Sequence, residues 1–154
     1  MILKNKKFII SAAGDGIGFS ISKLIVQNGG KVYLTDIDHQ KINKIKRNNK
    51  FKNKIFVNQL DANNYEKVRE YFLSLSHLKK IDGLINNVGI AGPTKYIDKI
   101  TREEWQNTIE TNLNSHFFFT KFAIPFLKRN KSGSIINLSS TAGLFGFPQR
   151  TPYA

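Results

Sequence analysis

Cysteine is absent from the 154 residues, which excludes a disulfide framework and any thiolate metal site and agrees with a reducing, cytoplasmic setting. Histidine is scarce: His39, His77 and His116 stand at no metal-ligand spacing, so no metal is expected. Long apolar runs are missing as well. The opening MILKNKKFII breaks at Ser11 and Gly14, too early for a signal peptide. The stretch from Phe117 to Leu127 is interrupted by Thr120, Lys121 and Pro125, too soon to cross a bilayer. No membrane partner is expected.

Acidic residues are few, 11 against 24 Lys and Arg, for a net charge of +13. Basic surfaces bind nucleic-acid backbones by releasing counterions, and seven basic residues fall between Lys41 and Lys54. The excess, however, is of Lys with Asn and Ile rather than Arg interleaved with aromatics, a pattern of solvated faces, and no nucleic-acid partner is expected. What is present in quantity is apolar, 40% of the chain, enough for one core in one domain over residues 1–154.

The stretch that orders the rest is SAAGDGIG, Ser11 to Gly18, between the apolar run Phe8-Ile9-Ile10 and the periodic apolar residues Ile17, Ile21, Leu24 and Ile25. A short strand, a glycine turn and a helix start are what a phosphate-binding βα unit requires, because glycine lets the backbone approach a pyrophosphate and the helix N-terminus meets its charge. A turn that merely joins strand to helix has the same local sequence. Gly14, Gly16 and Gly18 alternate, which is not G-x-G-x-x-G. The pattern resembles instead the T-G-x-x-x-G-x-G turn of the short-chain dehydrogenase/reductase family, with Ser11 for Thr and Ala12 for the first Gly. Ala12 fits such a turn only if its φ is negative.

In chain order, Lys7 to Ser11 reads as a strand, Gly16 to Asn28 as a helix ended by Gly29-Gly30, and Lys31 to Asp36 as a second strand. Asp36 lies eighteen positions beyond Gly18, near the spacing at which a carboxylate reaches the adenosine ribose. Such hydrogen bonds contribute on the order of 1.5 to 3 kcal/mol when buried, and the carboxylate repels a 2′-phosphate. Asp15 adds to that repulsion, so NAD is expected over NADP. A solvated residue at a strand end is the alternative for Asp36.

Asp38 to Asn48 reads as a basic amphipathic helix, Ile55 to Leu60 as a strand, and Asn63 to Leu75 as a helix with Val68, Phe72 and Leu75 on one stripe. Alternation of strand and helix implies parallel pairing with right-handed crossovers. Ile81 to Asn86 is a fourth strand running into Asn86-Asn87-Val88-Gly89, which resembles the family's N-N-A-G. Val88 in place of Ala is expected to crowd the site. Thr101-Arg-Glu-Glu104 is a capping box that opens a helix to about Arg129, bent or ended near Pro125, with Trp105, Ile109, Asn112 and His116 on one stripe. Gly133 to Ser140 is a fifth strand, and Tyr153 follows Ser140 by thirteen residues.

The resemblance spans all 154 residues and implies an α/β fold of Rossmann type, three layers αβα, with a parallel sheet of about five strands in the order 3-2-1-4-5. It implies an NAD(P)-dependent oxidoreductase similar to 3-oxoacyl carrier-protein reductases, moving a hydride between nicotinamide and a small-molecule carbonyl or alcohol. Cofactor contacts would fall on Ser11, Ala12, Gly14, Asp15, Gly16, Ile17, Gly18, Asp36, Ile37, Asp61, Ala62, Asn87, Val88 and Gly89. Asp61 would hold the adenine amino group, although a helix N-cap suits Asp equally. Asn112 would hold an active-site water, Ser140 the carbonyl oxygen, and Tyr153 would be general acid or base.

The family's Tyr-x-x-x-Lys is met only as far as Tyr153, since the sequence ends at Ala154. Tyrosine ordinarily titrates near pH 10, and the family relies on that Lys to bring it lower. The expectation is a chain poorly active alone, lacking the later strands of the full fold, with a catalytically silent nucleotide-binding module as the alternative. The full-length form is expected to be a homo-oligomer. In this chain the fifth strand and the Phe117-Phe118-Phe119 region are left uncovered and are expected to promote aggregation. Pro93 to Lys99 is expected to border the substrate pocket.

Overall fold

A computed structural model describes residues 1–154, the side chain of Asn49 apart. Five parallel strands form one sheet: β1 (Lys7–Ile10), β2 (Lys31–Asp36), β3 (Ile55–Gln59), β4 (Gly83–Asn86) and β5 (Ser134–Asn137). Their order is β3-β2-β1-β4-β5, as expected. Each crossover carries helix: α1 (Gly16–Gln27), α2 (His39–Arg47), α3 (Tyr65–Ser74), then α4 (Arg102–Ile109) and α5 (Ser115–Lys128) before β5. A short α6 (Ala142–Phe145) follows. No helix among the described residues is long and apolar enough to cross a membrane.

The central strands β1, β2 and β4 are largely buried because helices cover both faces of the sheet there. Ile9, Tyr33 and Leu84 pack with Val68, Phe72 and Leu75 of the α3 segment and with Phe119, Ala123 and Leu127 of α5. Their neighbours Ile10, Val32, Leu34 and Ile85 pack on the opposite face with Ile25, Val26, Ile42 and Ile45 of α1 and α2. The period of two along each strand thus divides the core into two halves, one per layer of helices.

Beneath the sheet, at the amino ends of β1 and β4, Asp82 acts as a clamp. It accepts hydrogen bonds from Lys6 Nζ at 2.8 Å, Lys7 N at 2.9 Å and Asn130 Nδ2 at 2.8 Å. Burial alone would raise its carboxyl, but these donors and the Lys6 charge outweigh that and hold it below the ordinary carboxylate range.

Between Thr101 and Arg129 the structure departs from expectation. The capping box is present, with the Thr101 side chain bonded to Glu104 N and the Glu104 carboxylate to Thr101 N. A break at Pro125 is not: α5 runs through it to Lys128. The irregularity lies earlier, in a π turn at Glu110–Asn114 whose closing bond runs from Ser115 N to Glu110 O. The buried face is also different, made by Thr108, Thr111, Ser115, Phe119, Ala123 and Leu127, while Trp105 on the expected stripe is exposed. Thr108 Oγ1 and Ser115 Oγ each donate to the carbonyl four residues back, so their hydroxyls enter the core already paired. Nor is the Phe117-Phe118-Phe119 region uncovered as a whole, for Phe119 is 0% exposed and only Phe117 faces solvent.

Candidate cofactor and active site

The chain reverses its winding direction between β1 and β4, and the carboxyl ends of these two strands carry most of the residues singled out in the sequence. Open parallel sheets bind ligands at such a switch point. Here Ser11 N donates to Ile85 O at 3.1 Å, and Ser11 Oγ accepts Asn87 N at 3.0 Å. Asn87 Nδ2 returns to Ser11 O at 3.2 Å and Ala12 O at 2.7 Å. One amide side chain therefore ties the end of β4 to the glycine turn. Ser11, at 1% exposure, is a fastener of the turn rather than part of its lip.

The three alternating glycines serve three different ends. A Cβ on Gly14 would stand 2.7 Å from Asp36 Oδ2, so glycine is needed there for the carboxylate to reach the turn. Gly16 has φ +58°, a left-handed conformation that only glycine adopts without strain, and a Cβ there would meet open space. At Gly18 a Cβ would stand 2.6 Å from Asn87 Nδ2 and 2.9 Å from the Ala13 backbone, so glycine lets α1 close onto β4.

Ala12 departs from its condition. Its φ is +47°, not negative, which costs an alanine roughly 1 kcal/mol. Its neighbours over-determine it: Ala12 O is held by Asn87, and Ala13 N donates to Thr35 O at 2.8 Å.

Asp36 closes β2 with its side chain turned into the glycine turn. Oδ2 accepts Gly14 N at 2.8 Å and Oδ1 accepts Asp38 N at 2.9 Å, with the residue only 7% exposed. A carboxylate offers about four lone-pair sites, so each oxygen keeps capacity for a further donor. Asp15 caps α1, accepting Gly16 N at 2.8 Å, and stays exposed. Around these groups Ile17 is 67% and Ile37 63% exposed, apolar surfaces beside the N-terminus of α1.

Other expected contacts fall elsewhere. Ala62 is buried in the core. Val88 does not crowd the site, because its side chain packs against the α3 and α5 side of the core while its carbonyl pairs with His116 Nε2 at 2.9 Å. Gly89 remains exposed beside Asn112, whose Oδ1 is 3.6 Å from where a Cβ would sit. Asp61 is not the N-cap of α3, since Asn64 is, accepting Lys67 N at 3.0 Å. Asp61 instead accepts Asn63 N at 2.9 Å and lines, with Ile37, a cavity of ≈ 680 Å³.

On the far side of the switch point, Asn112 lies in the π turn and commits both amide atoms to one residue. Its Oδ1 accepts Ile90 N at 2.7 Å and its Nδ2 donates to Ile90 O at 2.9 Å. The side chain thus fixes the loop after β4, with one N–H and one lone pair left over. π turns recur at functional sites for such reasons of presentation. Ser140 and Tyr153 line one cavity of ≈ 300 Å³ together with Ala91 and Arg150. Ser140 Oγ accepts Ala142 N at 3.2 Å, which leaves its own proton free to donate. Pro93 borders an adjoining cavity that shares Ala91.

Two further residues complete these surroundings: Asn86, which opens the Asn86-Asn87-Val88-Gly89 run, and Arg150, which the sequence did not single out. Asn86 is fully buried and donates to Asn137 Oδ1 at 2.7 Å and Thr120 Oγ1 at 3.0 Å, joining β4, β5 and α5. Arg150 reaches the Ser140 and Tyr153 cavity, and its spacing of three before Tyr153, one turn apart, was the available signal.

Comparison with known proteins agrees with this arrangement. The family model described as short chain dehydrogenase matches residues 6–154. A 3-oxoacyl-(acyl-carrier-protein) reductase of Thermotoga maritima is 29% identical over 156 aligned positions, covering 100% of this chain and 63% of the relative. An NADP-dependent 3-hydroxy acid dehydrogenase of Salmonella typhi is 31% identical over 136 positions, covering 88% of this chain and 54% of the relative. The crystal structure of serine dehydrogenase from Escherichia coli superposes with a TM-score of 0.86 at 27% identity, over 96% of this chain and 67% of that one. The chain therefore spans between about half and two thirds of the proteins it matches. With its strand order, its glycine turn and this match running from Lys6 to Ala154, the chain belongs to the short chain dehydrogenase family of oxidoreductases.

Proposed function

We propose that residues 1–154 form one dinucleotide-binding unit that prefers NAD to NADP and serves hydride exchange with a small carbonyl or alcohol. The observation that carries this reading is the Asp36 carboxylate bonded to Gly14 N at 2.8 Å, beside the N-terminus of α1. The residues present fit a dinucleotide: open space at Gly16, free amides at the helix start, and exposed apolar Ile17 and Ile37 on either side. Asp36 would hold the adenosine ribose, and Asp36 with Asp15 would disfavour a 2′-phosphate. The names of the relatives do not favour NAD, since one is NADP-dependent. The preference rests on the two carboxylates of this chain.

When bound, nicotinamide supplies or accepts the hydride. The protein's share is to orient and to move a proton. Ser140 donates a hydrogen bond to the carbonyl oxygen, and Tyr153 gives that oxygen its proton in reduction and recovers it in the reverse direction. Asn112 fixes Ile90 and with it the loop that walls the same cavity.

Titration with NADH and NADPH, read by nicotinamide fluorescence, tests the binding part. NADH is expected to saturate at roughly tenfold lower concentration than NADPH. Equal affinities overturn the preference, and no saturable signal with either at millimolar concentration overturns the dinucleotide reading. Carbonyl-dependent loss of NADH absorbance, removed by Tyr153→Phe, tests the chemistry. Turnover is expected to be slow, and turnover that Tyr153→Phe leaves unchanged would overturn the role given to Tyr153.

A further inference from the structure

Arg150 takes no part in the proton transfer assigned to Ser140 and Tyr153, yet it lines their cavity. Its carbonyl accepts Tyr153 N at 2.9 Å, so the two side chains leave one turn together. The guanidinium is half-buried, and its Nη1 donates to Ala91 O at 3.0 Å and Gly92 O at 3.2 Å. Both acceptors are neutral carbonyls. Among the described residues no carboxylate forms an ion pair with Arg150.

A guanidinium has five N–H donors and stays charged at any working pH. Here the Nε and Nη2 donors are left over, in the wall of a cavity of ≈ 300 Å³ also lined by Ser140, Thr141 and Tyr153. Its fork geometry matches a carboxylate, and charge-assisted pairs of that kind are the strong ones. The arginine is also preset. Asn112 fixes Ile90, the next two carbonyls of that loop hold Arg150, and Lys95 N bonded to Gln149 O at 2.9 Å ties the loop to the residue before it. A cation held ready by its own backbone, without a counter-charge, is the arrangement of a receptor for an anion.

We propose that Arg150 selects substrates bearing a carboxylate close to the reacting carbonyl, so that this site takes short oxo acids and the matching hydroxy acids in preference to neutral ketones. The inference rests on Ser140 and Tyr153 holding the carbonyl, as proposed above.

The test compares acetoacetate with acetoacetamide, which share skeleton and ketone and differ in charge, by ligand-observed NMR titration of the full chain with and without NADH. Acetoacetate is expected to bind about tenfold tighter or more. Arg150→Gln should bring the two to near parity while leaving the amide unchanged, and Arg150→Lys should keep part of the preference. Equal affinities in the natural chain, no binding of either, or an Arg150→Gln variant that weakens both alike would overturn the proposal, the last marking Arg150 as a brace for Ala91 and Gly92. Loss of NADH binding with the acid preference intact would count only against the dinucleotide reading. Saturable NADH binding without the acid preference would count only against Arg150.

Discussion

The glycine turn and the segment carrying Ser140 and Tyr153 both follow the carboxyl ends of sheet strands but are held by different means. The turn is laced to the two strands that flank β1 through buried groups: Ser11 and Asn87 to β4, and Ala13 and Gly14 to Thr35 and Asp36 of β2. The reactive segment leaves β5, an edge strand whose residues are all exposed, and is kept by local turns and a few ties from Arg150 and Lys95. Where a binding group is also a core hydrogen-bond acceptor, binding and stability are coupled. Where it stands on a turn at the margin, chemistry can change with little effect on folding.

Four measurements can break or sharpen this contrast. The largest effect is expected from aromatic truncation: Phe119→Ala, at a fully buried position, should lower unfolding free energy by about 3 to 5 kcal/mol, and Phe147→Ala in the exposed segment by less than about 0.5, both read by urea unfolding. Next, Asp36→Ala leaves Gly14 N and Asp38 N without their acceptor and should cost about 2 to 4 kcal/mol along with NADH binding. Ser140→Ala should leave both nearly unchanged and remove turnover. A similar stability loss in the two variants would erase the distinction.

The third effect depends on pH. Asp82 has a folded-state carboxyl lowered relative to the unfolded chain, so the stability it contributes is present above about pH 4 and is lost as pH falls through the lowered value. Asp82→Asn should flatten the acid limb of a stability profile without touching NADH binding, since the clamp sits at the opposite end of β1 from the turn. The smallest is a gain. Ala12→Gly relieves a positive φ and should stabilise by about 1 kcal/mol or less, the greater freedom of glycine when unfolded offsetting part of it.

Much of this was legible because the physics is local. Strands buried on both faces read as apolar runs, Thr101 and Glu104 announced a capping box, and the order of the elements with right-handed crossovers left few sheets to choose from. The turn at Ser11 to Gly18 was legible as a turn, but not why each glycine is there, which depends on what Asp36 and Asn87 do many residues later. Ala62 and Val88 were placed at the site with their neighbours in sequence, and that their side chains pack into the core on the α3 and α5 side depends on the fold around them. The buried face of α4 and α5 escaped because Thr108, Thr111 and Ser115 are polar by composition and become compatible with burial only through hydrogen bonds. Arg150 escaped because its importance lies in a missing counter-charge, a property of three-dimensional surroundings.

The π turn at Glu110–Asn114 has a consequence for how this chain tolerates insertions and deletions. It carries one residue more than a regular helical turn would, and each residue of an α-helix advances the side chains by about 100° around the axis. Excising one of those five positions would let the turn close as regular α-helix, four residues sweeping about the angle that five now do, so Phe119, Ala123 and Leu127 would stay on the sheet. A single-codon deletion there is absorbed as slack, whereas the same deletion early in α5 would re-aim the rest of that cylinder by about 100°.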